Sequence, residues 1–246
     1  LLSMTNLSVN INKIALLRNS RGSNLPNLIQ FAQDCEAFGA QGITVHPRPD
    51  QRHIRYDDIP ALARVVRTEF NMEGNPTPDF MKLVIQNRPH QCTLVPDAPQ
   101  QLTSDSGWDT VGRASELQEV IAELRAHNIR VAVFVDPQPD MIEGAKACGA
   151  DRVELYTGPY AEAFPHDPKA AVGHYQTAAE EALRIGIGLN AGHDLNLNNL
   201  QYFKEHCPGL LEVSIGHALV SDALYFGLAN TIRTVSYTHL TLPTIC

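Results

Sequence analysis

The sequence predicts an α/β protein of the (β/α)8, or TIM-barrel, type: a closed barrel of eight parallel strands with helices outside. Three observations predict it. Short apolar, β-branched runs bounded by Gly, Pro, Asn or His recur along the chain, and each precedes a longer segment with apolar residues at helical spacing. That alternation builds a parallel sheet covered by helices. Eight such repeats fit a chain of 246 residues, close to the roughly 250 residues of such barrels. The nearest approach to a dinucleotide fingerprint, Gly186-Ile187-Gly188-Leu189-Asn190-Ala191-Gly192, has the wrong spacing and falls in a late strand, which argues against an open nucleotide-binding sheet.

Taken in order, the first strand is expected at Leu7–Asn12, closed by asparagine, with a helix over Pro26–Phe38 that stops before Gly39. Gly42–His46 and the helix Asp57–Thr68 follow, then Phe70–Glu73 with Thr77–Asn87, where Pro78 suits a first turn. The apolar run Gln91–Pro96 leads through a long polar loop to the helix Gly112–His127. Arg130–Asp136 and Pro139–Cys148 form the fifth unit, opened by Pro139 and stopped by Gly149. Arg152–Thr157 pairs with Pro168–Ile185, which ends before Gly186. Gly188–His193 with Leu197–His206, and Leu211–Gly216 with Ala218–Thr234, complete the eight.

Composition bounds the function. With 43% hydrophobic residues the chain buries a sizeable core, so disorder is excluded. A net charge of -8 leaves no global field for a phosphate backbone or an anionic membrane, so neither nucleic acid nor membrane is an expected partner. The most apolar stretches, such as Val131–Val135, are short and flanked by Arg130 and Asp136, far from the roughly 20 residues of a spanning helix. The five cysteines are scattered, with no Cys-x-x-Cys pair, which fits neither a disulfide framework nor a zinc site and suits a reducing cytoplasm. Residues 4–235 are read as one catalytic barrel domain. Residues 1–3, ahead of Met4, and the Thr-rich segment 236–246, without Asp, Glu, Lys or Arg, are read as non-native ends.

Active sites of such barrels lie at the carboxyl ends of the strands. There the sequence places Asn10 and Asn12 after strand one, His46 after strand two, Glu73 after strand three, Glu154 with Thr157 on strand six, His193 after strand seven, and Gly216-His217 after strand eight. Histidines and carboxylates at successive strand ends are the inventory of general acid–base catalysis. Gly192 and Gly216 let backbone N–H groups approach a phosphate closely. A second anion site is suggested by Arg48, Arg52 and His53 in the loop after strand two, with Arg18 and Arg21 adding positive charge at the same rim. The loop from Asp97 to Asp109 has the length and polarity of a lid, or of a mobile surface loop, with Trp108 as its anchor.

Seven short motifs, in order, carry a family resemblance: Asn10-Ile11-Asn12-Lys13 continuing through Arg18-Asn19-Ser20-Arg21-Gly22, Gly42-Ile43-Thr44-Val45-His46, Arg52-His53-Ile54, Asn71-Met72-Glu73, Glu154-Leu155-Tyr156-Thr157-Gly158, Asn190-Ala191-Gly192-His193 and Ile215-Gly216-His217. Together they resemble the pyridoxine 5'-phosphate synthase family from about Leu7 to Val235. The resemblance implies condensation of 1-deoxy-D-xylulose 5-phosphate with 3-amino-2-oxopropyl phosphate to pyridoxine 5'-phosphate, phosphate and water, with no cofactor or metal, in a homo-oligomer, an octamer. It further implies His46 and Glu73 as proton acceptors, His193 as proton donor and Glu154 as transition-state stabiliser. Asn10, Arg21, Gly216 and His217 would hold the amino-ketone phosphate. Arg48, His53 and Thr103 would hold the deoxyxylulose phosphate, with Asn12 and Lys13 beside it. The chain departs from the family where many members have Asp-His in place of Asn12-Lys13, and where glycine often replaces Asp194, here carried only as a backbone ligand.

Two other readings of the same residues are a phosphosugar epimerase, isomerase or aldolase, with a divalent metal on His46, Glu73 and His193, and a non-catalytic phosphoester-binding barrel. The first predicts metal dependence. The second gives no reason for Glu73 and two histidines to face one cavity.

Overall fold

A computed structural model describes residues 4–98 and 104–240. Eight parallel strands close into one barrel in sequence order: β1 (Asn6–Asn10), β2 (Gly42–Val45), β3 (Glu69–Gly74), β4 (Gln91–Leu94), β5 (Arg130–Val135), β6 (Arg152–Tyr156), β7 (Gly188–Gly192) and β8 (Leu210–Ile215). Closure is made by β1 against β8, with Ser8 opposite Ser214 and Val9 opposite Ile215.

Residues of one parity in each strand point outward and build the apolar layer beneath the helices. Leu7, Val9, Ile43, Val45, Met72, Leu94, Val133, Leu155 and Val213 are all fully buried there. The other parity faces inward, and it is polar. Ser8 Oγ lies 2.7 Å from Thr44 Oγ1, Asn71 Nδ2 donates to Thr44 Oγ1 at 3.2 Å, and Thr93 Oγ1 donates to Asn71 Oδ1 at 3.1 Å. Below this belt Gln91 and Asn190 donate to Glu212 Oε1 at 3.4 and 3.2 Å, and Arg130 pairs with Glu69. Branched apolar residues usually fill such a barrel; here a hydrogen-bonded polar interior supports the site above it.

The helices start and stop where local chemistry dictates. They are α1 (Asn12–Asn19), α2 (Leu28–Ala37), α3 (Asp58–Val65), α4 (Pro78–Asn87), α5 (Ala114–Ala126), α6 (Pro139–Ala147), α7 (Gly158–Ala163), α8 (Pro168–Ile185), α9 (Leu200–His206), α10 (His217–Phe226) and α11 (Leu228–Arg233). Asn27, Thr77 and Asp167 cap α2, α4 and α8 with their side chains, and prolines open α4, α6 and α8. Gly186 ends α8 at φ 69, a left-handed conformation that favours glycine.

Three elements differ from the sequence-based expectation. The first strand stops at Asn10, and Asn12 begins α1, which was expected to be loop. The short helix α7 follows β6 directly, because Thr157 turns the chain and Pro159 sits in its first turn. The last expected helix is broken at Gly227, φ 78, and α11 continues as a π-helical turn, Thr234–His239, that buries Val235 and Leu240. The helical chain therefore runs past residue 235, where the barrel domain was expected to end.

Candidate active site

At the carboxyl ends of the strands a cavity of about 450 Å³ opens. Twelve of the fourteen residues expected to form the site line it: Asn10, Asn12, Lys13, His46, Arg48, His53, Glu73, Glu154, His193, Asp194, Gly216 and His217. Thr103 lies outside the described residues. Arg21 is exposed in the turn after α1 and is absent from the cavity lining. Arg18, expected at the rim, is instead buried and pinned by Asp58, with bonds of 2.7 and 2.9 Å to the two carboxylate oxygens. That bidentate pair ties α1 to α3 and leaves Arg18 a structural group.

The two asparagines at the end of β1 organise one wall. Asn10 Oδ1 accepts the Asn12 N–H at 3.0 Å, and Asn12 Oδ1 accepts the His46 N–H at 3.0 Å. The other end of the Asn10 amide reaches Glu73 Oε2 at 3.5 Å. A neutral amide at position 12 thus supplies the acceptor that a carboxylate would, so this departure from the common family pattern leaves the His46 backbone held.

Charges in the cavity are set by burial. Glu73 is pushed up to about 8, first by burial and then by the Asp97 carboxylate, against the pull of Arg48. Glu154 is raised well above the usual carboxyl range by burial and then by Glu73, and its Oε2 has no hydrogen-bond partner among the described residues. His46 is held well below its ordinary value by burial, then by Arg48, His53 and Arg52. His53 is lowered to about 4, by burial and then by Arg48 and Arg52. Its Nδ1 accepts the Ile54 N–H at 2.9 Å, so the neutral ring carries its proton on Nε2. Near neutral pH the site therefore holds two neutral imidazoles, a Glu154 whose burial favours the protonated form, and a Glu73 that titrates close to the working range.

Asp97 is a site residue that the sequence reading took only as the start of a loop. Its Oδ2 accepts from Arg48 at 2.6 Å and from Ser104 at 2.8 Å, and stands 3.9 Å from His46 Nε2. The signal was its place just beyond the apolar run of β4, the same position that singled out His46 and His193. Arg52 and Phe134 also line the cavity. Trp108 anchors its loop as expected: it is buried, its backbone N–H donates to Phe134 O at 2.8 Å, and the Arg113 guanidinium lies 4.3 Å over its ring.

At the far wall Gly192 and Gly216 allow close backbone approach. A Cβ on Gly192 would lie 2.4 Å from Glu154 Oε1, and one on Gly216 would lie 3.0 Å from the Asn10 side chain. Gly216 and His217 also form the amino end of the ten-residue helix α10, where free N–H groups favour an anion. The described residues contain no cluster of three or more His, Cys, Asp or Glu side chains arranged for a metal.

A closed parallel barrel with acid–base groups and two anion-accepting regions around one cavity defines a class of barrel enzyme acting on small phosphorylated compounds. The family described as "Pyridoxal phosphate biosynthesis protein PdxJ" matches residues 7–239, and the chain belongs to it. The chain is 61% identical over 230 residues to pyridoxine 5'-phosphate synthase of Bacteroides fragilis, which covers 94% of this chain and 97% of that protein. It is 58% identical to the same-named protein of Cytophaga hutchinsonii and 55% identical to that of Porphyromonas gingivalis, with the same coverage. Among solved structures, a 4-hydroxy-2-oxoglutarate aldolase/2-deydro-3-deoxyphosphogluconate aldolase superposes with a TM-score of 0.63 at 16% identity, over 96% of this chain and 94% of the other, a likeness of fold alone.

Proposed function

We propose that this chain forms the pyridine ring of pyridoxine 5'-phosphate by condensing 1-deoxy-D-xylulose 5-phosphate with 3-amino-2-oxopropyl phosphate, releasing phosphate and water. One observation carries the reading: His46, Glu73, Glu154 and His193 converge on a single cavity that has anion-accepting groups in two places. Arg48, Arg52 and His53 after β2 hold one phosphate. The N–H groups of Gly216 and His217 hold the other. Two anchored phosphates keep the reacting carbons in register, which makes the joining steps effectively intramolecular.

Imine formation, enolisation, phosphate loss and dehydration are all proton transfers, and no electrons pass to an external acceptor. Neutral His46 accepts a proton from carbon or nitrogen. Glu73, at about 8, gives and takes protons as the steps alternate. Protonated Glu154 donates a hydrogen bond to oxygen that gains negative charge. His193 donates to the departing oxygen. The same reading places the reaction in the cytoplasm and seats copies of the chain on one another through the exposed Leu224, Tyr225 and Phe226 of α10, as in the octamer that the family resemblance implies.

The experiment mixes the purified protein with both substrates in chelator and follows pyridine absorbance and free phosphate. Appearance of both signals, only when both substrates are present, supports the reading. Activity that needs added zinc or manganese, or that appears with a single phosphosugar, points to an epimerase, isomerase or aldolase.

A further inference from the structure

Asp194 stands where a glycine is common in the family, yet its carboxylate neither caps the next helix nor turns from the site. Asp194 Oδ2 lies 2.8 Å from His193 Nδ1. The backbone is shaped for this contact. His193 has φ 92 and Asp194 φ 59, two successive left-handed residues that are not glycine. Such conformations persist only where their surroundings hold them, and they concentrate at functional sites.

The holding groups are visible on both sides. The Thr157 hydroxyl lies between the carbonyls of Gly192 and His193, at 2.7 and 2.5 Å. Asn196 Nδ2 and Asn199 Nδ2 donate to the Asp194 carbonyl at 3.1 and 3.3 Å. The Tyr156 ring packs against the imidazole at 5.1 Å between centroids, close to perpendicular. The ring plane of His193 is therefore fixed from the strand side, and its Nδ1 faces the Asp194 carboxylate as an ion-pair contact rather than an aligned hydrogen bond.

We propose that Asp194 is a positioning residue for the condensation: its carboxylate, 2.8 Å from Nδ1 of His193, draws a ring proton to that nitrogen, so that Nε2 is the ring nitrogen that delivers the proton to substrate. The proposal rests on the reading of His193 as proton donor. In the step, the Nε2–H bond breaks and the proton passes to a substrate oxygen that leaves as water. The imidazolium becomes neutral imidazole with its remaining proton on Nδ1, beside the Asp194 carboxylate, which is not itself protonated. The adjacent His193 imidazole is the main cause holding the Asp194 carboxyl below its usual range, which agrees with an ionised carboxylate beside Nδ1. The added negative charge beside a phosphate site is offset by Lys13, which lines the same cavity and acts on Asp194 electrostatically.

The test uses Asp194→Gly and Asp194→Asn, both compatible with a left-handed backbone, in full-length protein labelled with 15N-histidine and assigned with His193→Asn. At pH 8.5 without ligand, His193 in the unaltered protein should show the Nδ1–H tautomer, and in Asp194→Gly the Nε2–H tautomer should predominate. Turnover should fall about 10- to 100-fold in both variants with KM for either substrate within about twofold. An unchanged tautomer in Asp194→Gly overturns the proposal, whatever the activity. A fall in KM with kcat intact also overturns it, because Asp194 would then act only by repelling phosphate. The tautomer is read without turnover, so a wrong substrate assignment cannot mimic either result.

Discussion

His46 Nδ1 lies 3.8 Å from Glu73 Oε2, and the two groups are displaced in opposite directions. Burial and cationic neighbours keep the imidazole neutral, while the same burial, with Asp97, keeps the Glu73 carboxyl protonated up to about 8. The pair is a neutral base beside a neutral acid, the combination that permits proton exchange with a substrate without burying a net charge.

The pH dependence of kcat/KM should therefore rise through a limb near 8, set by ionisation of Glu73, and show no limb near 6.5 from His46. Asp97→Asn removes the carboxylate that adds to the Glu73 rise, so the limb should move to lower pH. Arg48, having lost its 2.6 Å partner, should bind the deoxyxylulose phosphate with altered KM. A limb that stays in place in Asp97→Asn would show that another group controls it.

Stability should depend on pH with a calculable sign. Glu73 and Glu212 are raised from 4.5 to about 8 in the folded chain, so the folded state binds more protons than the unfolded one between those values. Stability from these groups is complete below about 4.5 and is lost as pH rises through about 8, on the order of a few kcal/mol. His46 and His53 act oppositely, but only below about 6.5. The unfolding midpoint of ligand-free protein should fall between pH 6.5 and 8.5, and Glu212→Gln, away from the cavity, should flatten that fall. A midpoint that climbs over the interval would refute the protonated buried carboxyls.

Gly192→Ala should damage catalysis more than folding. The new methyl would sit 2.4 Å from Glu154 Oε1, the end of a side chain that is itself buried. Glu154 must swing out of place, and displacement of about 1 Å can cost about 100-fold in rate. Kinetics and thermal melting of the same preparation check this: kcat lowered about 100-fold with the midpoint shifted by only a few degrees is the expected pattern.

Tyr225 is 86% exposed on α10 and Leu224 is 78% exposed, an apolar pair at odds with solvent. Leu224→Lys combined with Tyr225→Lys should reduce the assembled mass measured by light scattering while the far-ultraviolet circular dichroism stays unchanged. An unaltered mass would contradict a contact between copies through these residues.

The barrel was legible because its outward parity is apolar and its helices carry their own signals, as Pro78, Pro139 and Gly186 show. The strand ends were legible for the same reason: His46, Glu73 and His193 each interrupt an apolar run. What stayed hidden depends on contacts across the chain. Arg18 and Arg21 look alike in sequence, but only Arg18 finds Asp58, forty residues on, and becomes structural. Asp97 is an ordinary loop acid until Arg48 and Ser104 converge on it. The start of α1 was missed because Ile11, at the cap position, has no capping side chain; the first helical N–H is taken instead by Asn10 Oδ1, from the strand end.

The most direct test of the account compares the unaltered protein with Glu73→Gln, in chelator, for turnover of the two phosphorylated substrates and for calorimetric binding of 1-deoxy-D-xylulose 5-phosphate. The account predicts binding within a few-fold of the unaltered protein and pyridine formation slower by about 100- to 10,000-fold, the usual contribution of a positioned acid–base group. Equal turnover in the two proteins would contradict it, because the carboxyl at the centre of the cavity would then carry no proton in the reaction.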